Sequence, residues 1–305
     1  MKFVIMGAGG VGGFYGARLA RGGHDVTFIA RGEHLKAIRQ NGLRIESPQV
    51  GDFEISVNAT DNPAEAGIAD VIWMTVKDYG LEAASESIRP IMGENTVVIP
   101  LLNGVTAAER IGQVVGMERV MGGAVYVFAN IIAPGVIRHG AADSLMFGEL
   151  SGGITPRGEA LQAAMKAAEI ETVLSDNMSY LLWQKFLGIG AVSSVCTTAR
   201  SPIGPLRDDP ETLKVFSGFM EEIIALSRAK GIGLKPEAKE MSLKMILGLP
   251  PEARPSMLLD LEQGKPMEVE AIQGAAVRLG RELGVPTPLF DLAYAALKPW
   301  KDGRG

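Results

Sequence analysis

The sequence predicts a two-part α/β chain: a parallel-sheet domain over residues 1–175, then an all-helical domain over residues 176–305. Three observations predict it. Lys2-Phe3-Val4-Ile5-Met6 is a short apolar run, followed at once by Gly7-Ala8-Gly9-Gly10-Val11-Gly12 and a helical pattern over Phe14–Ala20. Gly22-Gly23 ends that helix, and Val26–Ile29 is a second apolar run. The runs Asp70–Val76 and Thr96–Leu102 are almost continuously apolar, as buried parallel strands are. After Asp176 only helical patterns remain, each punctuated by glycine or proline.

The order strand, glycine turn, helix, strand, with the GxGxxG spacing at Gly7, Gly9 and Gly12, is the fingerprint of a Rossmann-type dinucleotide-binding domain. Gly7 permits the tight turn, Gly9 lets a pyrophosphate approach bare backbone, and Gly12 lets the helix pack close to the strand. The helix N-terminus offers its unpaired N–H groups to the phosphates. A glycine-rich turn in another α/β protein, or a domain that no longer binds, is the alternative. At the end of the second strand an NAD site wants an acid for the ribose 2′-OH, whereas an NADP site wants a cation. The chain has Ile29-Ala30-Arg31-Gly32 there, so Arg31 favours NADP(H) over NAD(H). Glu33 lies two residues on and counts against it, and a solvated surface arginine is the other reading.

In chain order, Leu35–Gln40 reads as a short helix, Leu43–Glu46 and Phe53–Val57 as short strands, and Pro63–Ala66 as a helical turn. Lys77 follows the strand 70–76 at its carboxyl end, where open α/β sheets place ligands. It faces a cofactor or merely caps the strand in water. Tyr79–Met92 reads as one helix. The strand 96–102 ends in Asn103-Gly104, where an amide both donates and accepts, or which serves only as a turn. Arg119–Phe128, Gly135–Arg138 and Leu145–Phe147 read as strands adding antiparallel to the same sheet. Pro156–Ala168 is a helix, Glu171–Leu174 a last strand, and Ser175-Asp176-Asn177 the boundary.

The second half reads as helices over Ser179–Val195, Leu213–Lys230, Glu237–Leu247, Ser256–Gln263, Glu268–Leu283 and Leu289–Leu297. The first has one charged side chain, Lys185, among Leu182, Trp183, Phe186 and Leu187. Such a lysine either snorkels to water or is held in a cleft, where partial burial lowers its pKa toward the range useful for acid/base work.

Composition excludes other classes. At 47% hydrophobic and net charge −5, the 305 residues suit a packed core and give no basic patch for nucleic acid. One cysteine, Cys196, allows no internal disulfide and fits a reducing compartment. The three histidines, His24, His34 and His139, are scattered, so no metal site is expected. Apolar stretches are broken well short of a membrane span, and the glycine run interrupts any signal-peptide core, so a cytoplasmic location is expected. The apolar helical half leaves a homodimer open.

Taken together, the glycine fingerprint with Arg31, Thr75-Val76-Lys77, Asn103-Gly104, Leu182-Trp183-Gln184-Lys185-Phe186, Pro255-Ser256-Met257-Leu258-Leu259-Asp260, Glu268 in Lys-Pro-Met-Glu-Val-Glu, and Gly284-Val285-Pro286-Thr287-Pro288 resemble the ketopantoate reductase family (2-dehydropantoate 2-reductase) over nearly the whole length. The resemblance implies reduction of a 2-oxo acid, ketopantoate, to (R)-pantoate with NADPH on the route to pantothenate and coenzyme A. It implies a Rossmann domain, a helical domain and an active site in the cleft between them. It gives Lys185 as the catalytic lysine, Asn103 near nicotinamide and substrate, Lys77 at the cofactor, Ser256 as a substrate contact and Glu268 as part of the cofactor site. Where the family carries Asn-x-x-x-Asn after the lysine, this chain has Ile189 and Ser193. Ser193 can still hydrogen-bond a substrate; Ile189 cannot, with Thr197, Thr198 or Arg200 as candidates to compensate. The alternatives are therefore reduction of a different small 2-oxo acid and, in another class, an NADP(H)-binding sensor without turnover.

Overall fold

The computed structural model describes residues 1–303; Arg304 and Gly305, the end of the expected helical domain, lie outside the described residues. The chain divides into two units, residues 1–102 with 107–179, and residues 103–106 with the chain from Tyr180 onward.

The first unit is built on β1 (Lys2–Met6). Alternate side chains of a strand point to opposite faces, and here both faces are covered. Phe3 and Ile5 join one core with Phe14, Leu19 and Phe28, while Val4 and Met6 join another with Ile72, Leu81 and Ile111. Around it follow α1 (Gly10–Arg21), β2 (Asp25–Ile29), α2 (Gly32–Asn41), β3 (Leu43–Glu46), β4 (Phe53–Ile55), β5 (Asn58–Thr60), β6 (Ala69–Met74), α3 (Leu81–Ser87), β7 (Met92–Pro100) and α4 (Ala107–Val115). β8 (Gly122–Ala133), β9 (Val136–Gly148), α5 (Pro156–Ala167) and β10 (Thr172–Leu174) complete the unit.

The first sheet has the order β5-β2-β1-β6-β7, and every pairing in it is parallel. The chain leaves β1 for β2 on one side and later returns to β6 on the other. β1 therefore stands at the switch point where such sheets bind ligands.

Two expectations are corrected here. The later strands do not add to this sheet. β8 and β9 pair antiparallel, but β9 continues into a second sheet of order β10-β9-β3-β4. Arg44 of β3 faces Val136 of β9 in parallel register, whereas β7 meets the region before β8 through one isolated bridge, Val98 to Val120. Nor is Tyr79–Met92 one helix: it breaks into a 3₁₀ turn at Asp78–Gly80, α3, and a second 3₁₀ turn at Arg89–Ile91. Pro90 lacks the N–H that would continue α3.

The second unit is all helical: α6 (Met178–Ala199), which enters it at Tyr180, α7 (Ile203–Arg207), α8 (Pro210–Ala229), α9 (Pro236–Gly248), α10 (Ser256–Glu262), α11 (Ala275–Leu283) and α12 (Pro288–Leu297). Its core gathers Phe186, Phe216, Phe219 and Phe290, with Phe219 edge-on to Phe290 at 4.8 Å. Asp209 caps α8 through the Thr212 N–H, and Glu222 accepts the Leu289 and Phe290 N–H groups at the start of α12. A π-helical turn, Glu270–Gly274, leads directly into α11. Among the described residues no helix is long and apolar enough to cross a membrane.

Candidate active site

In the first unit, β2, β1 and β6 lie side by side and run in one direction, so their carboxyl ends share an edge. β1 opens into the glycine loop, β2 into Arg31, and β6 into Thr75-Val76-Lys77. Gly7 has φ +109°, a conformation L side chains rarely take. A Cβ on Gly12 would stand 2.2 Å from the Gly7 carbonyl oxygen and 2.4 Å from the Thr75 hydroxyl, so helix and strand approach as only glycine allows. At Gly9 a Cβ would meet nothing within 4 Å. The loop is thus open on the side where the fingerprint expects a pyrophosphate. Gly9 is the N-cap of α1 without a side-chain bond to the helix, and the first turn carries no acid, so the helix end suits an anion.

Arg31 is exposed at the N-cap of α2. Glu33, which counted against it, pairs with Lys36 at 2.6 Å. Lys77 is half-buried at the N-cap of the Asp78–Gly80 turn, and the Asp78 carboxylate, itself buried, is gripped by Arg110 of α4. The loop is therefore flanked by Arg31 on the β2 side and Lys77 on the β6 side. Sequence reasoning missed Thr75 as a positioning group. Its hydroxyl donates to the Gly7 carbonyl at 2.7 Å, with the Met6 carbonyl 3.0 Å away. The signal was a hydroxyl residue closing an otherwise apolar strand.

In the second unit, Lys185 is 6% exposed, and its Nζ donates to Asn103 Oδ1 at 3.1 Å. Burial among the apolar side chains of α6 pushes its pKa down from 10.5 to about 8. The carboxylate of Glu268, also buried, acts in the other direction and favours the ammonium. The lysine thereby titrates at about 8, far closer to neutral pH than a free lysine and still mostly an ammonium at pH 7.

Asn103 is held by its neighbour. Gly104 has φ +96°, and a Cβ there would stand 2.6 Å from the Ala271 carbonyl oxygen of the π turn. Within that turn Gly274 N–H reaches back to Val269 O, and Gln273 donates to Ser194 of α6 at 3.0 Å. One packed element thus links α6, the Asn103-Gly104 turn and the segment bearing Glu268. Such π turns recur at functional sites.

Lys185, Asn103 and Glu268 are the expected residues that the second unit brings together. Ile189, half-buried, lies one turn along the Lys185 face of α6, and Ser193, buried, lies two turns along. Ser256 is exposed at the first position of α10. Thr197 is fully buried, whereas Thr198 and Arg200 are exposed. No group of three or more His, Cys, Asp or Glu side chains suited to a metal occurs among the described residues.

Comparison with known proteins agrees with this anatomy. Residues 3–152 match the family model described as "Ketopantoate reductase PanE/ApbA", and residues 177–301 match its C-terminal counterpart. A 2-dehydropantoate 2-reductase of Mesorhizobium japonicum is 31% identical, covering 100% of this chain and 99% of the relative. The crystal structure of a PanE/ApbA family ketopantoate reductase from Ralstonia eutropha superposes with a TM-score of 0.91 at 32% identity, covering 99% of this chain and 98% of that one. A D-mandelate dehydrogenase in a ternary structure with NADH and anilino(oxo)acetate shares the fold, with a TM-score of 0.89 at 24% identity over 99% and 98% of the two chains.

Proposed function

The chain belongs to the ketopantoate reductase family, a family of oxidoreductases, and from that premise we propose that it reduces a 2-oxo acid to a 2-hydroxy acid with NADPH, taking ketopantoate to pantoate. The observation that carries the reading is the buried Lys185 ammonium, hydrogen-bonded to Asn103 and poised near pH 8.

A bound nicotinamide supplies the hydride. The chain's own groups do the rest. As the substrate carbonyl carbon accepts hydride, negative charge grows on its oxygen. The Lys185 ammonium stabilises that charge and then transfers a proton to it, and the neutral amine regains a proton from water. Asn103 accepts from Nζ and orients it, and Glu268 favours the protonated lysine against the effect of burial. Asn103, Ser193 and Ser256 serve the substrate. Gly7, Gly9, Gly12 and Lys77 serve the dinucleotide, Arg31 its 2′-phosphate, and Glu268 the cofactor side of the same centre.

A second reading is favoured by Ile189. Its half-buried methyls stand one turn from Lys185, where an apolar substrate group gains contact and a hydroxyl finds no partner. A 2-oxo acid with an apolar side chain is then the better substrate.

The test follows absorbance of the reduced nicotinamide with NADPH or NADH against ketopantoate and apolar 2-oxo acids. Fast oxidation of NADPH by ketopantoate upholds the first reading. Turnover confined to apolar acids moves the substrate to the second. Tight NADPH binding without turnover of any acid overturns both in favour of a sensor.

A further inference from the structure

His34 occupies a place that the fingerprint does not explain. It stands in the first turn of α2, half-buried, with a hydrogen bond at each ring nitrogen. The buried N–H of Gly135, in the turn between β8 and β9, donates to Nδ1 at 3.0 Å. Nε2 lies 2.8 Å from the carbonyl oxygen of Ala8, between Gly7 and Gly9. A backbone N–H can only donate, so Nδ1 is the acceptor and Nε2 carries the proton. The ring is fixed in one tautomer, and Nε2–H donates to Ala8.

The consequence lies in the next atom along. The Ala8 carbonyl and the Gly9 N–H belong to one peptide group, and no described peptide bond is cis. In a trans peptide these two groups point in opposite directions. Anchoring the carbonyl to His34 therefore aims the Gly9 N–H away from the ring. A flip of this peptide turns ψ of Ala8 and φ of Gly9, and the glycine leaves the second of these torsions unrestrained by a side chain. A flipped peptide would aim a carbonyl dipole where the N–H now points, and so repel an anion.

Resting on the dinucleotide reading, we infer that His34 is a positioning residue: its Nε2–H locks the Ala8–Gly9 peptide so that the Gly9 N–H faces the cofactor pyrophosphate. Burial holds the imidazole's pKa below its ordinary value, in keeping with a neutral ring. The bland alternative is that His34 only satisfies Gly135 and anchors the hairpin.

Two variants separate these roles. In His34→Gln the terminal amide reaches the place of Nε2 and keeps the donor to Ala8. In His34→Asn it reaches only the place of Nδ1 and keeps the partner of Gly135. Both are titrated with NADPH and NADH by nicotinamide fluorescence, beside the wild type. The inference expects His34→Gln to bind within about threefold of wild type and His34→Asn about tenfold more weakly, a change of about 1.4 kcal/mol. The reverse order, equal losses, or loss in His34→Gln alone overturns it. Should His34→Asn not fold, retention in His34→Gln upholds the inference and loss there overturns it. A wild type that binds neither dinucleotide has a different signature and overturns the dinucleotide reading itself.

Discussion

The side-chain oxygen of Asn103 lies 3.1 Å from the Lys185 ammonium, inside a shell that exposes only 6% of the lysine. A buried ammonium beside a neutral amide, with a carboxylate acting on it, is costly to the fold and useful to chemistry. The first two predictions follow from that tension.

Replacing Lys185 by Met removes the proton donor. Positioned acids contribute about 10²- to 10⁴-fold, so kcat should fall by at least about a hundredfold while the dissociation constant for NADPH stays within about threefold. The same change should stabilise the protein. The gap between 10.5 and about 8 corresponds to about 3 kcal/mol against the folded ammonium. Below pH 8 both states carry the proton and the full penalty is present. Between pH 8 and 10.5 the folded lysine is already neutral while the unfolded one is not, so wild-type stability rises with pH. The gain from Lys185→Met, measured by denaturant melts, should thus be largest at neutral pH and fade toward pH 10.5.

The ammonium is also the active form, so kcat/KM should fall tenfold per pH unit above about pH 8. Glu268 raises the lysine pKa. In Glu268→Gln the alkaline limb should therefore move to lower pH. A limb that stays in place, read from full pH–rate profiles, would remove Glu268 from this role.

Gly104→Ala should be poorly tolerated. The substitution imposes φ +96° on an alanine and drives a Cβ against the Ala271 carbonyl. Strain of about 1–3 kcal/mol is expected, visible as a lower Tm. As Asn103 shifts away from Lys185, kcat should drop more than tenfold. An unchanged kcat would mean that the Asn103 contact does not matter to the reaction.

Arg31→Ala should weaken NADPH but not NADH. A charge-assisted bond contributes about 1.5–3 kcal/mol, hence about ten- to a hundredfold in the NADPH dissociation constant. Equal losses for both dinucleotides would show that Arg31 does not read the 2′-phosphate.

The glycine loop was legible because its spacing, flanking strands and following helix are local. Lys185 was legible because a lone charge in an apolar helix needs an explanation. What remained hidden is non-local. The tautomer of His34 is set by Gly135, 101 residues away, and Thr75 holds Gly7, 68 residues away. The assignment of β9 to a second sheet depends on pairing with β3, far back in the chain. Residues 268–283 read as one continuous helix, whereas Gly274 N–H bonds Val269 O across five residues. That wider turn lies against Gly104 and ties Gln273 to Ser194, contacts that no local pattern encodes. Pro90 was a local signal that should have divided the helix expected over Tyr79–Met92.

The π turn has a genetic consequence. It holds one residue more than a regular α-helical turn, so the bearing of everything before it is set by counting. Deleting a single codon between Glu270 and Gly274 would let the turn relax to ordinary pitch. A regular turn covers the same full circle with one residue fewer, so Glu268 would keep its bearing on α11. A codon deleted from α11 itself, where the pitch is already regular, has no such slack and would swing Glu268 about 100° around the axis, out of phase with Lys185. In this stretch, where the length changes matters more than whether it changes.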